Sequence, residues 1–436
     1  MKRRLGLVVL LVAAACTEET TSPGVCPDFC PGGSIEIHDT IFTAIIERDS
    51  SFRGYLQNYQ AEAMTATDIP GVIDSRAFFT TDTVQSRVAP KAGDTATVAK
   101  VMDSVRVRFV IVRRPKNTTN LRLRLYRLPV GVDSTSDFAS LDPYFTATPV
   151  DSLNVNDLLA LPAIGDTQTI RLWSDSIRVD TAGHVLQINR IDSTVAVYFN
   201  LDTLQAPFDS ADSGRVAWGV RVAADSFASV TLGTTESGTN PPLVRWFYHY
   251  TIPDTVSATP DSVVNNDKTV PNRFDSFVFD PPTPPLDSNL AVGGVPAARS
   301  LLRVLMPAYL HDSVDVVRAT LILVPVNAVP GAPSDSFRIL ARPVSADLGA
   351  KSPLSPDATL FGRTYIHIGS PDTVRLELTS LVRAWSLDTT RTTAFILGQV
   401  PEAASYTEAR FYSSRAPASR PALHVTYVKR FRFGEP

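Results

Sequence analysis

Strict alternation of apolar and polar residues is the feature of this sequence that most constrains its fold. In SVRVRFVIV, residues 104–112, four apolar residues would face one way, and Arg106 and Arg108 would face the other. LRLRLYR, residues 121–127, repeats the pattern with leucines on one face and arginines on the other. A period of two residues is the period of a half-buried β-strand. If these two strands pair, their arginines form a cationic sheet face; the alternative is a solvated face balanced by aspartates in turns.

The rest of the chain follows the same pattern of short strands and frequent turns. Aspartate outnumbers glutamate, and Asp-Ser and Asp-Thr pairs separate the apolar runs, as is typical of turns. The 33 prolines and the scarcity of the helix-favouring residues glutamate and lysine point the same way. The sequence therefore predicts an all-β protein, which we expect to consist of two jelly-roll-like antiparallel β-sandwiches in tandem.

The N-terminus has the pattern of an export signal. Lys2, Arg3 and Arg4 precede an apolar run at residues 5–12 and a small-residue cleavage site at residues 13–15. The apolar run is shorter than the roughly 20 residues that span a bilayer as a helix. We therefore predict a cleaved signal peptide over residues 1–15.

The segment that follows resembles the lipobox of bacterial lipoproteins. In VAAAC, residues 12–16, Cys16 stands where such proteins carry the acylated first residue, and Thr17 is typical of the outer-membrane class rather than the retained one. The resemblance implies a lipid-anchored protein of the outer membrane or cell surface, tethered by residues 16–34. The alternative is an ordinary secretory signal with a spare cysteine.

Two further cysteines and the charge balance complete this picture. Cys26 and Cys30 form an even pair, for which a disulfide is expected in an oxidising compartment; a metal site would need further ligands, and none has suitable spacing nearby. Loss of residues 1–15 makes the net charge of −3 three units more negative, which argues against nucleic acid as a partner.

Proline-rich stretches and an internal repeat suggest the domain organisation. We predict a first sandwich over residues 35–252, a linker over 253–271 and a second sandwich over 272–432. The ends of the two halves, residues 219–250 and 398–427, resemble each other, which indicates a duplication.

The second half resembles the DNRLRE family of secreted β-sandwich domains, some of whose members are carbohydrate-binding modules. The segments that carry the resemblance are LLRVLMP (301–307), VVRATLILVPV (316–326), VRLELTSLVRAW (374–385) and ARFYSSRAPASRPALHVTY (409–427). The resemblance implies a jelly-roll-like fold and a surface location, and it supplies no catalytic mechanism. We accordingly interpret the last segment as sheet closure, with Leu423, Val425 and Tyr427 on one side of the final strand and His424 and Thr426 on the other.

Residues that could carry catalysis are not arranged in a recognisable motif. The sequence has no G-x-S-x-G segment, and its six histidines show neither HxH nor HExxH spacing. Most aspartates lie in turn signals, so paired catalytic carboxylates are not indicated, although a structural calcium ion stays open. We predict a protein that is not an enzyme and that has no metal or other cofactor.

Binding of sugars by a β-sandwich usually needs exposed aromatic rings flanked by hydrogen-bonding groups. The candidate is RWFYHY, residues 245–250, in which Trp246 and Tyr248 share one face; Trp173 is a further candidate. The alternative is that both faces of this strand are covered. We predict a surface lipoprotein that binds polysaccharide or another envelope component; the alternatives are a scaffold lipoprotein that binds proteins and, less favoured, a polysaccharide hydrolase or lyase.

Overall fold

The structure, a computed structural model, confirms the all-β class. It describes residues 36–54, 57–90, 95–164, 176–189, 191–253, 261–280, 288–311, 313–333 and 335–430. Strands make up 49% of it and helices 9%. The predicted signal peptide, the tether and its three cysteines, Cys16, Cys26 and Cys30, lie outside the described residues. Within those residues, no helix has the length and apolar character needed to cross a bilayer.

Twenty-five strands and three short α-helices form the described part of the chain. The strands are β1 (Ile37–Phe42), β2 (Ile46–Arg53), β3 (Ala63–Ile69), β4 (Ile73–Thr81), β5 (Arg87–Val88), β6 (Val98–Ala99), β7 (Val101–Arg113), β8 (Arg122–Leu128), β9 (Asp151–Asn154), β10 (Ser176–Val179), β11 (Val185–Ile188), β12 (Val195–Asp202), β13 (Ala217–Ala223), β14 (Ala228–Gly233), β15 (Leu243–Ile252), β16 (Ser262–Phe279), β17 (Leu290–Gly293), β18 (Ala298–Val304), β19 (Val314–Leu323), β20 (Ser336–Pro343), β21 (Gly362–His367), β22 (Val374–Glu377), β23 (Ala394–Val400), β24 (Glu408–Phe411) and β25 (Ala422–Lys429). The helices are α1 (Phe138–Phe145), α2 (Val155–Ala160) and α3 (Thr379–Leu387).

The first unit is built on a twelve-stranded antiparallel sheet in which six strands, β7, β14, β3, β4, β16 and β15, pair in a closed ring. The remaining strands extend the sheet from β7 through β12, β11 and β10, and from β4 through β13, β8 and β9. In β7 the four predicted inward residues, Val105, Val107, Phe109 and Ile111, are buried in one core, as expected. Because β8 pairs with β13 and β9 instead of β7, the arginines of β7 and β8 do not form one continuous face.

The second unit is a sandwich of two sheets with one core between them. One sheet has the order β1-β25-β19-β22, and the other has the order β21-β20-β23-β18-β17-β24, with β2 also paired to β18. Trp385 on α3 packs into this core, where it contacts Phe395 with ring centroids 6.2 Å apart. In β25, Leu423 and Val425 are fully buried, whereas His424 and Thr426 face outward and bond to Asp39. Residues 409–427 therefore close the sheet, and the side chains of the final strand face the sides that the sequence predicted.

Two groups of strands depart from the predicted domain boundaries. β1 and β2 belong to the sheets of the second unit, where they pair with β25 and β18, although they precede the first unit in the chain. Residues 262–271, assigned above to a linker, lie in β16, which pairs with β15 and β4. Alternation indicates which side of a strand is buried but not which strand is its neighbour, so these pairings could not be read from the sequence.

Trp246 is a core residue of the first unit, so its truncation should destabilise the protein. The side chain has no exposed surface, and its ring packs edge-on against Phe208 at 5.6 Å. We expect Trp246→Ala to lower the free energy of unfolding by about 3–5 kcal/mol, measured by urea denaturation followed by circular dichroism. Leu204→Ala, at a side chain that is 90% exposed, is the control and should change stability little. Equal stabilities of the two variants would contradict this placement of Trp246.

Candidate functional site

The aromatic residues expected to contact a ligand are placed differently from the prediction. Trp246 is fully buried, and Tyr248 is 5% exposed, with the Lys100 Nζ atom 4.6 Å from its ring centroid. A buried ring offers no face for stacking, so Trp246 and Tyr248 are not a sugar platform. The sequence showed that these two rings share a face, but it did not show that this face points into the closed ring of strands. Trp173 lies outside the described residues.

The other face of β15 points outward and carries Arg245, Phe247 and His249. Phe247 is half-buried and lies under two guanidinium groups: the Cζ atoms of Arg106 and Arg245 are 5.4 and 5.3 Å from its ring centroid. Stacking of this kind is attractive because the ring face carries negative partial charge. Phe247 therefore helps to fix both arginines at the surface.

Arg106 and Arg245 border a groove of about 280 Å³ on the outer face of the first sheet, which we call the arginine groove. Its polar residues come from β7, β11, β12, β15 and β16; they are Arg106, Arg108, Gln187, Tyr198, Arg245 and Thr269. Ile177, Val185 and Leu243 supply its apolar walls. The volume is near the lower limit of about 300 Å³ for small-molecule sites. The groove is thus large enough for one small group and no more.

Positive charge in the groove is only partly balanced. Arg106 and Arg245 are directly opposite each other on β7 and β15, a placement that is unfavourable for like charges. Arg245 forms two hydrogen bonds with Asp267, at 2.7 and 2.9 Å. Arg106 donates through Nε to the amide oxygen of Asn200 at 2.6 Å instead. No described carboxylate forms a salt bridge with Arg106.

Arg108 is the second arginine of the groove without a carboxylate partner among the residues that the structure describes. One of its terminal nitrogens donates to the carbonyl oxygen of Pro241 at 2.9 Å. Its Nε is buried and has no described hydrogen-bond partner. Since a guanidinium group is always charged and has only donors, Arg106 and Arg108 leave the groove ready to accept a negatively charged group.

One wall of the groove comes from β11 and β12, and Tyr198 on β12 is paired directly with Arg108 on β7. Tyr198 on β12 donates its hydroxyl hydrogen to the side-chain oxygen of Gln187 on β11, with the two oxygens 3.0 Å apart. The Cζ atom of Arg106 lies 5.9 Å from the Tyr198 ring. An aromatic ring and an amide group therefore lie beside the guanidinium groups of the groove.

His184 holds the hairpin of β10 and β11 that forms this wall. Its Nδ1 lies 2.7 Å from Asp180, and its Nε2 lies 2.9 Å from Asp151 on β9. The hydrogen bond to Asp151, assisted by that to Asp180, raises the pKa of His184 to about 9 although burial opposes the charged form. Both ring nitrogens then donate, and the imidazolium acts as a clamp between two carboxylates. The sequence did not predict this arrangement, because His184 and its two aspartates form no recognisable motif.

The carboxyl group of Glu236, which does not line the arginine groove, has a raised pKa. Partial burial and the neighbouring carboxyl of Asp275 raise the pKa of Glu236 to about 7. Asp275 is 3% exposed and accepts hydrogen bonds from the backbone nitrogen and hydroxyl of Thr235, at 3.0 and 2.8 Å. Across the described segments, no group of three or more His, Cys, Asp or Glu side chains is placed to hold a metal ion.

Comparisons with known proteins give no match by family model, by curated sequence or by solved structure. The resemblance of residues 286–428 to the DNRLRE family and the lipoprotein assignment therefore stay predictions.

The His184 clamp should make stability depend on pH. A histidine whose pKa is near 6.5 when unfolded and about 9 when folded stabilises the folded state fully below pH 6.5, and this stabilisation is lost as the pH rises through 9. We expect His184→Gln to destabilise the protein by about 1–3 kcal/mol at pH 6 and by less at pH 9.5, measured by urea denaturation at both values. His367→Gln, at an exposed histidine, is the control. A pH-independent effect of His184→Gln would contradict the clamp.

Proposed function

We propose that this protein is a non-enzymatic, lipid-anchored protein of the cell envelope that binds an anionic polysaccharide, or another envelope component with repeated acidic groups, in the arginine groove. Export and the anchor are proposed from the N-terminal sequence pattern of residues 1–16. The ligand class is proposed from the groove. The two inferences are independent of each other.

The observation that carries the proposal is the uncompensated charge of Arg106 and Arg108. Arg245, opposite Arg106, is paired with Asp267, so the charges without a described carboxylate partner are those of Arg106 and Arg108. A carboxylate or sulfate group would form charge-assisted hydrogen bonds with these two guanidinium groups.

The shape of the groove favours a chain of sugars over a small free anion. It lies open on a sheet face, and its apolar walls and the Tyr198 ring provide contact area beside the charged groups. Sugar rings have apolar faces that pack on such surfaces, and their hydroxyl groups suit the hydroxyl of Thr269. Neighbouring sugars of the chain would extend along the outer face of the sheet.

The alternative functions predict different properties of the same surface. A scaffold lipoprotein of two domains is expected to bury RWFYHY between those domains, whereas Trp246 packs within the core of the first unit. A hydrolase or lyase would need catalytic groups beside the bound sugar, and no carboxylate is among the residues lining the arginine groove. These observations are why we favour binding.

Binding of a polyuronate tests the proposal. We expect immobilised alginate to retain the protein at low salt and a neutral glucan not to retain it, because the attraction depends on charge. Arg108→Gln should weaken binding to alginate about 10-fold to 100-fold, since it removes a charge-assisted interaction of roughly 1.5–3 kcal/mol.

Arg363→Gln is the matched control, because it makes the same charge change at an exposed position on β21 in the second unit. It should bind alginate like the wild type. Equal losses of alginate binding in both variants would show that binding reflects net charge alone. Equal retention of the wild type on alginate and on the neutral glucan would contradict a groove that selects acidic ligands.

A further inference from the structure

Arg106 of the arginine groove is held by a chain of hydrogen bonds, and we infer that His184, at the far end of this chain, positions Arg106 for anion binding. His184 does not line the groove, so it would act on the ligand only through other residues. The inference rests on the proposed function for its ligand and explains how the groove keeps its geometry.

The first link of the chain joins Arg106 to Asn200. The two residues are directly opposite each other on β7 and β12, and Nε of Arg106 donates to the amide oxygen of Asn200 at 2.6 Å. The amide nitrogen of Asn200 donates in turn to the carbonyl oxygen of Gly183. Because one end of the amide accepts and the other donates, a reversed amide would lose both bonds. Asn200 therefore ties the orientation of Arg106 to the position of Gly183.

The second link is the tight turn of residues 180–184 between β10 and β11. Gly183 has a φ of 86°, a left-handed conformation that glycine adopts without strain. Its backbone nitrogen donates to the carbonyl oxygen of Asp180 at 3.1 Å, and the backbone nitrogen of His184 donates to the Asp180 carboxylate at 2.9 Å. The turn thus sets the position of the carbonyl group that Asn200 binds.

The side chain of His184 anchors this turn to a distant part of the first sheet. It is 6% exposed, and its ring packs edge-on against Phe199 with the centroids 6.0 Å apart. Nδ1 lies 2.7 Å from Asp180 within the turn, whereas Nε2 lies 2.9 Å from Asp151 on β9. β9 and β10 are at opposite ends of the strand order of the sheet. His184 therefore connects two ends of the sheet that are not paired with each other.

The anchored turn has a direct consequence for the charge in the groove. Without His184, the turn would be free to move, and the guanidinium group of Arg106 would move with Gly183 and Asn200. A side chain that must be ordered when the ligand binds lowers the affinity, whereas a side chain that is already ordered does not. His184 is thus a positioning residue for Arg106.

Hydrogen exchange of the Arg106 Nε–H group tests the positioning without a ligand. The full chain without its predicted signal peptide is labelled with isotopic arginine, and the Arg106 signal is assigned by its loss in Arg106→Gln. We expect this hydrogen to exchange about fivefold faster or more in His184→Gln and in Asn200→Ala, because both variants break the chain of bonds. The matched control is His424→Gln, which removes an imidazole bonded to Asp39 in the second unit and should leave the rate unchanged.

Two results of the exchange measurement would overturn the inference. Faster exchange in Asn200→Ala but not in His184→Gln would remove the role of His184, and unchanged rates in both variants would remove the whole chain of bonds. Circular dichroism verifies that each variant is folded. Asp151→Asn weakens the same anchor and replaces His184→Gln in these measurements if that variant does not fold.

Alginate affinity tests whether the positioning serves the ligand. His184→Gln should weaken binding about threefold to tenfold, as expected for the loss of one polar contact, although it removes no group from the groove. In an Arg106→Gln background the same change should weaken binding by less than about twofold, because residues that act through each other have non-additive effects. Additive losses would contradict the coupling of His184 to Arg106.

The two measurements keep this inference apart from the proposed function. A wild-type protein that does not bind alginate contradicts the proposed function. The exchange rates then still decide whether His184 positions Arg106, because they are measured without a ligand.

Discussion

The pairing of the two N-terminal strands with strands near the C-terminus is the interaction on which the rest of the structure depends. β2 runs antiparallel to β18 from Arg53 opposite Ala298 to Ile46 opposite Val304. β1 pairs with β25 along its whole length. Removing them would expose the edges of β18 and β25 and open the core of the second unit. β2 also carries Arg53, which forms a salt bridge with Glu408 on β24.

In the first unit, the closure of six strands into a ring determines which side chains are buried and which are exposed. In β15, each residue that points inward meets the core, so Trp246 becomes buried and its neighbours Arg245 and Phe247 must face outward. β7 obeys the same rule, which places Arg106 beside Arg245. The arginine groove is thus a consequence of strand alternation combined with ring closure. Asp267 balances Arg245, and the charges of Arg106 and Arg108 are the ones that a bound anion would compensate under the proposed function.

Local patterns in the sequence predicted the all-β class and the facing of several strands. Alternation correctly placed Arg106 and Arg108 outside the first core and Leu423 and Val425 inside the second. Such predictions succeed because the side-chain period of a strand is independent of its partners. The facing of the final strand in the closing segment, residues 409–427, was predicted from this period alone.

Features that depend on distant pairings could not be predicted in the same way. The inward facing of Trp246 and the placement of β1 and β2 follow from partners far along the chain, and the strand at residues 262–271 continues into residues 272–279, which pair with the distant β4. The arginine groove combines Gln187, Tyr198 and Arg108 from three strands, and no local motif marks them as neighbours. His184 and its two aspartates are likewise brought together only by the fold.

Cross-linking of β2 to β18 tests the central claim most directly. Ser51 and Ser300 are directly opposite each other, with their hydroxyl oxygens 2.9 Å apart. We predict that Ser51→Cys/Ser300→Cys forms an intramolecular disulfide on mild oxidation, detected by mass spectrometry of tryptic peptides. The offset pair Ser50→Cys/Ser300→Cys should not, because Ser50 is opposite Leu301. Cross-linking of the offset pair but not of the aligned pair would contradict the pairing that completes the second unit.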